Sequence, residues 1–397
     1  MKPITIVLIG IGGYGNFYVR SLLDNKGVCN FKIAGAVDPY PEGCQRLHEL
    51  KELNIPIFSS MEEFYSKSDV DLAIISTPIQ YHTEQICYSL NRNSHVLCEK
   101  PLCATIEEAK EIIKIEKSKN KIVAIGYQWS FSEAIQELKH DIISGKFGKP
   151  KRLKTLVLWP RDFAYYNRNS WAGRKQDSAG NWVLDSVAGN ATAHFLHNMF
   201  YLLGKEINQS THPALVLAEL YRANKIENYD TAFVRVMTTE NVELFFYATH
   251  AVEERVGPKF YFEFEKASVI YSQNSDNKEI IAIFNNGEKK VYGDPFKNKD
   301  SKLWSTLNTV SEGGKTVCGP QASLAQVICI NKMQESAPEI TNFPDNLIIP
   351  VSKNGEKVAI YVEGLKYDME YCYDSWKLPH ELGISWSRAG RIVSNKL

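Results

Sequence analysis

The chain has 397 residues, and lysine plus arginine equal aspartate plus glutamate at 46 each, so no global charge draws it to nucleic acid or to an anionic membrane. Its length suits two domains with substantial cores. The first apolar run is broken by Gly10, Gly12 and Gly13 and no membrane-length apolar stretch follows, which implies a soluble, cytoplasmic protein. The eight cysteines form no C-x-x-C pair and no zinc-site spacing, and read as free thiols of a reducing compartment.

Ile4, Ile6, Val7, Leu8 and Ile9 have the composition of a strand buried on both faces. Gly10, Gly12 and Gly15 then fill the glycine places of G-x-G-x-x-G, with Gly13 and Tyr14 inside the turn. A helix is expected over residues 14–23 and a second strand over 31–37, ending in Asp38. Asp38 lies 23 positions after Gly15, close to the offset of roughly 20 at which a carboxylate meets the ribose hydroxyls of an adenine dinucleotide. This complete βαβ unit points to NAD.

Further on, the pattern predicts a helix over 42–53, a short strand at Ile57-Phe58, a helix over 61–65 and a buried strand over 70–76 stopped by Thr77-Pro78. A helix over 82–91, a strand over 94–98 and Glu99-Lys100-Pro101 at its C-terminal end follow, where ligands bind in an open α/β sheet. Thr105-x-x-Glu108 opens a helix over 105–117 as a capping box, and a strand over 122–125 closes a Rossmann domain of residues 1–126.

A connecting helix is expected over 131–143, ended by Gly145 and Gly148. Beyond it, β-branched and aromatic runs at 152–159, 214–222, 229–238, 242–249, 259–271 and 280–284 indicate a largely antiparallel, open sheet in an α+β domain of residues 127–397. Helices are expected over 189–203, closed by Gly204 as a left-handed cap, over 322–335 and over 361–373. The partly apolar strand face around 260–264 suggests a dimer or tetramer through this domain.

Three stretches carry more specific marks: VDLAIISTPIQYHTEQI, HVLCEKPLCATIEEAKEI, and a helix-borne N-x-x-x-H before Leu202-Leu203-Gly204. Together they resemble the Gfo/Idh/MocA family of nicotinamide-dependent oxidoreductases. Thr77-Pro78 with His82, and Glu99-Lys100-Pro101, fall on the family's marks. Counting back from the Leu-Leu-Gly places His194 on the family histidine and Asn190 on the family aspartate.

The resemblance implies that hydride moves between nicotinamide C4 and a carbinol carbon, commonly of a sugar, an inositol or a related polyol. It implies cofactor contacts from Gly10, Gly12, Gly13, Tyr14, Gly15 and Asp38, and from Thr77, Pro78, His82, Glu99 and Lys100. An alcohol losing hydride needs a base for its hydroxyl proton, a task that suits a neutral imidazole, here His194; Lys100 stabilises the developing negative charge. Substrate contacts are expected from Lys100, Tyr127, Arg168, Trp171, Asp185, His194 and His197, the loop over 159–182 being rich in aromatic and forked polar side chains.

Asn190, His194 and His197 share one face of a regular helix. That spacing also describes part of a metal site, but no carboxylate or cysteine of suitable spacing joins it, and no metal is expected. Asn190 orients the histidine without raising its basicity, as an aspartate would. Two alternatives therefore stand beside the dehydrogenase: a glycosidase of the family's kind, whose NAD is oxidant and then reductant with no net redox change, and a non-catalytic nucleotide- or sugar-sensing regulator.

Overall fold

The computed structural model describes residues 2–25 and 27–395 and divides into two compact units: Met1–Ser132 with Asn298–Leu324, and Glu133–Lys297 with Ala325–Leu397. The division falls six residues beyond the expected 126, and the segment Asn298–Leu324, which the sequence reading left in the C-terminal domain, lies in unit 1.

Unit 1 is built on six parallel strands, β1 (Ile4–Ile9), β2 (Phe31–Val37), β3 (Ile57–Phe58), β4 (Leu72–Ile75), β5 (His95–Cys98) and β6 (Val123–Ile125), in the order β3-β2-β1-β4-β5-β6. This is the doubly wound Rossmann order. Its strands are apolar throughout because both faces are covered; β4 is buried at every residue. The crossovers carry α1 (Gly15–Asp24), α2 (Leu47–Glu52), α3 (Met61–Tyr65), α4 (His82–Asn91) and α5 (Ile106–Lys119). Both halves of the Thr105–Glu108 capping box form. The helix expected over 42–53 is instead a 3-10 turn, Pro41–Gly43, followed by α2, because Pro41 fixes a turn before the apolar face begins.

Unit 2 holds β7 (Pro150–Leu158), β8 (Pro213–Arg222), β9 (Thr231–Thr238), β10 (Glu243–Thr249), β11 (Val256–Phe264), β12 (Ala267–Ser272), β13 (Ile280–Phe284), β14 (Lys289–Gly293) and β15 (Thr341–Asn342) in one sheet of order β14-β13-β12-β11-β7-β10-β9-β8-β15. Pairing is antiparallel except at β7 with β10 and at β8 with β15. Its helices include α6 (Glu133–Ile143), α7 (Phe163–Tyr166) and α8 (Ala193–Leu202). Leu156, Phe233, Phe245 and Tyr247 of the sheet pack with Leu365, Met369 and Cys372 of the helix Leu365–Ser375.

Three expectations for this unit are corrected. The run 259–271 is two strands, since the polar pair Glu265-Lys266 turns the chain between β11 and β12 without interrupting the alternation of apolar residues. The helix expected over 361–373 starts only at Leu365, because 356–362 is a strand and Gly364 breaks the chain in a left-handed conformation. Gly204 is no left-handed cap; a Cβ there would lie 1.9 Å from the Gln209 carbonyl oxygen, so close backbone approach demands the glycine.

Candidate functional site

In unit 1 the glycine turn follows β1 and leads straight into α1. A Cβ on Gly15 would sit 2.2 Å from the Gly10 carbonyl oxygen, so no other residue packs the helix this close to the strand. Gly10 is left-handed and faces the Thr77 methyl, and the Ser76 hydroxyl donates to its carbonyl at 2.7 Å. The N-terminus of α1 has no side-chain cap and no acidic residue in its first turn, so no side chain competes there with an anion.

Asp38, just past β2, accepts the N–H of Ile11 at 2.9 Å and of Gly12 at 3.3 Å on one oxygen and that of Tyr40 at 2.9 Å on the other. It therefore fixes the turn from the side where an adenosine ribose is expected. The three atoms nearest to a Gly12 Cβ would all belong to Gly43, at ordinary contact distance. Turn, uncapped helix and carboxylate fit a dinucleotide: Gly10 to Gly15 would hold the diphosphate and Asp38 the ribose.

Two expected cofactor contacts have other partners. His82 is buried, with Nδ1 2.9 Å from the Pro101 carbonyl and Nε2 2.9 Å from the Thr77 carbonyl. It ties the end of β4 to the turn after β5; burial lowers its pKa, against the pull of the two carbonyls. Glu99 is buried in an ion pair with Lys302 and accepts the Tyr18 hydroxyl at 2.6 Å. The Lys302 ammonium also donates to the Tyr14 hydroxyl at 3.0 Å. Burial opposes its charge, yet Glu99 and Tyr14 hold its pKa above that of an ordinary lysine. Glu99 is thus locked in the interior of unit 1, and Tyr14 is held by the same network. Tyr127, expected at the substrate, is fully buried there, its hydroxyl pKa pushed up by burial. Thr77 donates its hydroxyl to Gln85 at 2.6 Å, Pro78 is half-buried, and Lys100 is half-buried just beyond β5.

In unit 2 the segment around Asn190 departs from a regular helix. Val187–Ala191 is a π-helical turn, Thr192 breaks the run at φ −110°, and α8 starts at Ala193. Asn190 and His194 therefore do not lie on one continuous α-helix, as the sequence pattern expects. The Asn190 amide donates to Asp185 at 2.8 Å. Asp185 is itself 2 % exposed, follows Leu184 held at φ +49°, accepts the Gly173 N–H at 2.6 Å and lies 3.6 Å from the Arg168 guanidinium. With these partners Asp185 braces the loop. His194 is half-buried at the start of α8. His197 is 1 % exposed and stacks on Tyr201 at 5.5 Å; burial, reinforced by Lys139, pushes its pKa down to about 3. It is a neutral, buried histidine.

Arg168 lies over Tyr165 at 3.8 Å and over Trp171 at 5.2 Å, so two expected substrate residues are brought together. A recess of about 470 Å³ is lined by Tyr166, Asn167, Asn169, Ala172, Arg174 and Lys225, which places part of the 159–182 loop on a concave surface. A second, of about 540 Å³, lies over β7, β11 and β12 beside Arg152, Lys154, Lys259 and Trp376 and contains none of the expected site residues. Lys302, the buried partner of Glu99, carries no signal in the local sequence pattern.

The fold and the glycine turn give unit 1 the form of a dinucleotide-binding unit. Residues 4–127 match the model of GFO_IDH_MocA, the oxidoreductase family with an NAD-binding Rossmann fold. Over these residues the chain is similar to that family. Inositol 2-dehydrogenase of Salmonella paratyphi B is 26% identical over 144 residues, 36% of this chain and 42% of the relative. The 2,7-anhydro-N-acetylneuraminate hydratase of Mediterraneibacter gnavus is 24% identical over 200 residues, 50% of this chain and 48% of the relative. The chain thus spans less than half the length of these curated relatives. A levoglucosan dehydrogenase solved with NADH shares the fold over 85% of this chain and 97% of its own, with a TM-score of 0.71 and 16% identity.

Proposed function

We propose that the protein is an NAD-dependent dehydrogenase that moves hydride between NAD and a carbinol carbon of a sugar, inositol or related polyol. The observation that carries this reading is the glycine turn before an uncapped α1, braced by Asp38, in a unit of the NAD-binding family. The inositol 2-dehydrogenase relative supports the substrate class. NAD, when bound, supplies the hydride acceptor. The chain's own groups do the proton work: His194 takes the hydroxyl proton as the C–H bond breaks, and Lys100 offsets the negative charge growing on that oxygen. Asn190 and Asp185 hold the loop that carries Arg168 and Trp171, and assembly as a dimer or tetramer through the sheet of unit 2 belongs to the same reading.

The hydratase relative favours one second reading, a reaction that leaves substrate and cofactor with no net redox change. One experiment separates the two: incubate a panel of sugars, inositols and sugar acids with NAD and follow NADH absorbance and product mass together. The dehydrogenase yields NADH and a product lighter by two hydrogens in equal amounts. Product without NADH supports the redox-neutral reading instead.

A further inference from the structure

We propose that Arg161, Arg168 and Arg255 of unit 2 form an anion-recognising patch that selects substrates carrying an acidic group, a carboxylate or a phosphate, on the sugar or polyol. The inference rests on the dehydrogenase reading and names the substrate class within it.

The three guanidinium groups are drawn together by two aromatic rings. Arg161 and Arg168 both lie over Tyr165, at 4.6 and 3.8 Å, and Arg255 lies over Trp159 at 4.4 Å, a ring that Arg161 also approaches at 5.9 Å. Few carboxylates offset them. Asp185 approaches Arg168 at 3.6 Å but already accepts from Gly173 and Asn190, and Asp162 is used in capping α7 through the Tyr165 N–H. Like charges held this close repel unless a counter-anion joins them. Burial, and then Arg161 beside it, lowers the pKa of Arg255.

A second observation is independent of charge. Arg161 Nε, Tyr166 Oη and His250 Nε2 are buried with no hydrogen-bond partner among the described residues, an arrangement that folded proteins avoid and that a ligand relieves. His250 is 2 % exposed and packs edge-on against Tyr165 at 5.6 Å. Its Nδ1 is 2.7 Å from the Trp159 carbonyl and so carries the ring proton, which leaves Nε2 as an acceptor. Burial and then Arg161 push its pKa down to about 3, so it stays neutral. Guanidinium donors for an acidic group, beside an acceptor for a hydroxyl, are the complement of an acidic polyol.

The test is calorimetric titration of the full chain with ligands matched in ring and stereochemistry: glucose, glucuronate and glucose 6-phosphate, and the corresponding galactose set. At least one anionic member should bind about tenfold or more tightly than its neutral partner, and Arg161→Leu should erase that preference. Arg255→Leu, at an exposed position, should likewise weaken anion binding. The carboxylate and phosphate arms distinguish the two acidic groups. Equal or weaker binding of every anion than of its neutral partner overturns the proposal. Turnover measured in parallel separates the two readings: anions that bind without NADH formation sink the dehydrogenase reading and leave the patch standing, whereas neutral sugars oxidised without anion preference do the reverse.

Discussion

The Asn190 amide donates to the Asp185 carboxylate at 2.8 Å, across a π-helical turn that keeps Asn190 off the regular face of α8. A carboxylate at 190 would therefore face Asp185. Asn190→Asp should destabilise unit 2 by about 1–3 kcal/mol near pH 8, where both carboxylates are charged, and by less near pH 5, where one of them takes up a proton and donates to the other. Melting curves of the variant and the parent at the two pH values check this. An equal loss at both would mean that the two side chains are not coupled.

Asp38 holds two N–H groups of the glycine turn, and no lysine or arginine lies in the Pro39-Tyr40-Pro41-Glu42 segment that follows it. A 2′-phosphate would meet an uncompensated carboxylate. NAD should bind at least tenfold more tightly than NADP, and Asp38→Ala should weaken NAD as well by loosening the turn. Titration of both cofactors at physiological salt decides; tighter NADP would contradict the assignment of Asp38.

Lys302 and Glu99 form a buried ion pair. Lys302→Met leaves Glu99 an uncompensated buried carboxylate and should cost about 3–5 kcal/mol, whereas Lys302→Met with Glu99→Gln should regain most of that. Chemical denaturation of both variants gives the comparison. A double variant no better than the single one would show that the pair is not the source of the loss.

Burial holds His197 and His250 at about 3 and His95 at about 4, against 6.5 for an ordinary histidine. Each pKa is lower in the folded state, so each contributes stability that is present above about pH 6.5 and lost as pH falls toward 4. Glu116, raised by burial to about 7, works in the opposite sense between pH 7 and 4.5. Among these four groups the three histidines outweigh Glu116 near pH 5, so they favour proton uptake on unfolding and a stability that falls on acidification. Urea denaturation between pH 6 and 4.5 measures it; stability that rises on acidification would contradict the burial of these histidines.

Lys100→Ala and His194→Ala should each lower turnover by about a hundredfold to ten-thousandfold with little change in NAD affinity. Wild-type turnover in His194→Ala would return that histidine to the core of unit 2, and loss of NAD binding in Lys100→Ala would make the lysine a cofactor residue.

The parts of the fold that depend on near neighbours were legible in the sequence. The βαβ unit from Ile4 to Asp38 and the Thr105 capping box are set by local spacing, and they formed where expected. Partners far apart in the chain left no such trace: Lys302 meets Glu99 across 203 positions, in an interior ion pair. The π-helical turn was hidden because one extra residue in Val187–Ala191 leaves the apolar pattern intact while shifting Asn190 off its face. Periodicity places His197 on a face of α8 without saying that Tyr201 and Lys139 pack beside it.

Hydride transfer to NAD is tested most directly with a substrate deuterated at its carbinol carbon, mixed with excess enzyme and NAD for a single turnover and analysed by mass spectrometry. The deuteron should appear in the reduced cofactor, in an amount equal to the oxidised product. A deuteron found in the product or lost to solvent, with no labelled NADH, would contradict net transfer of hydride to NAD.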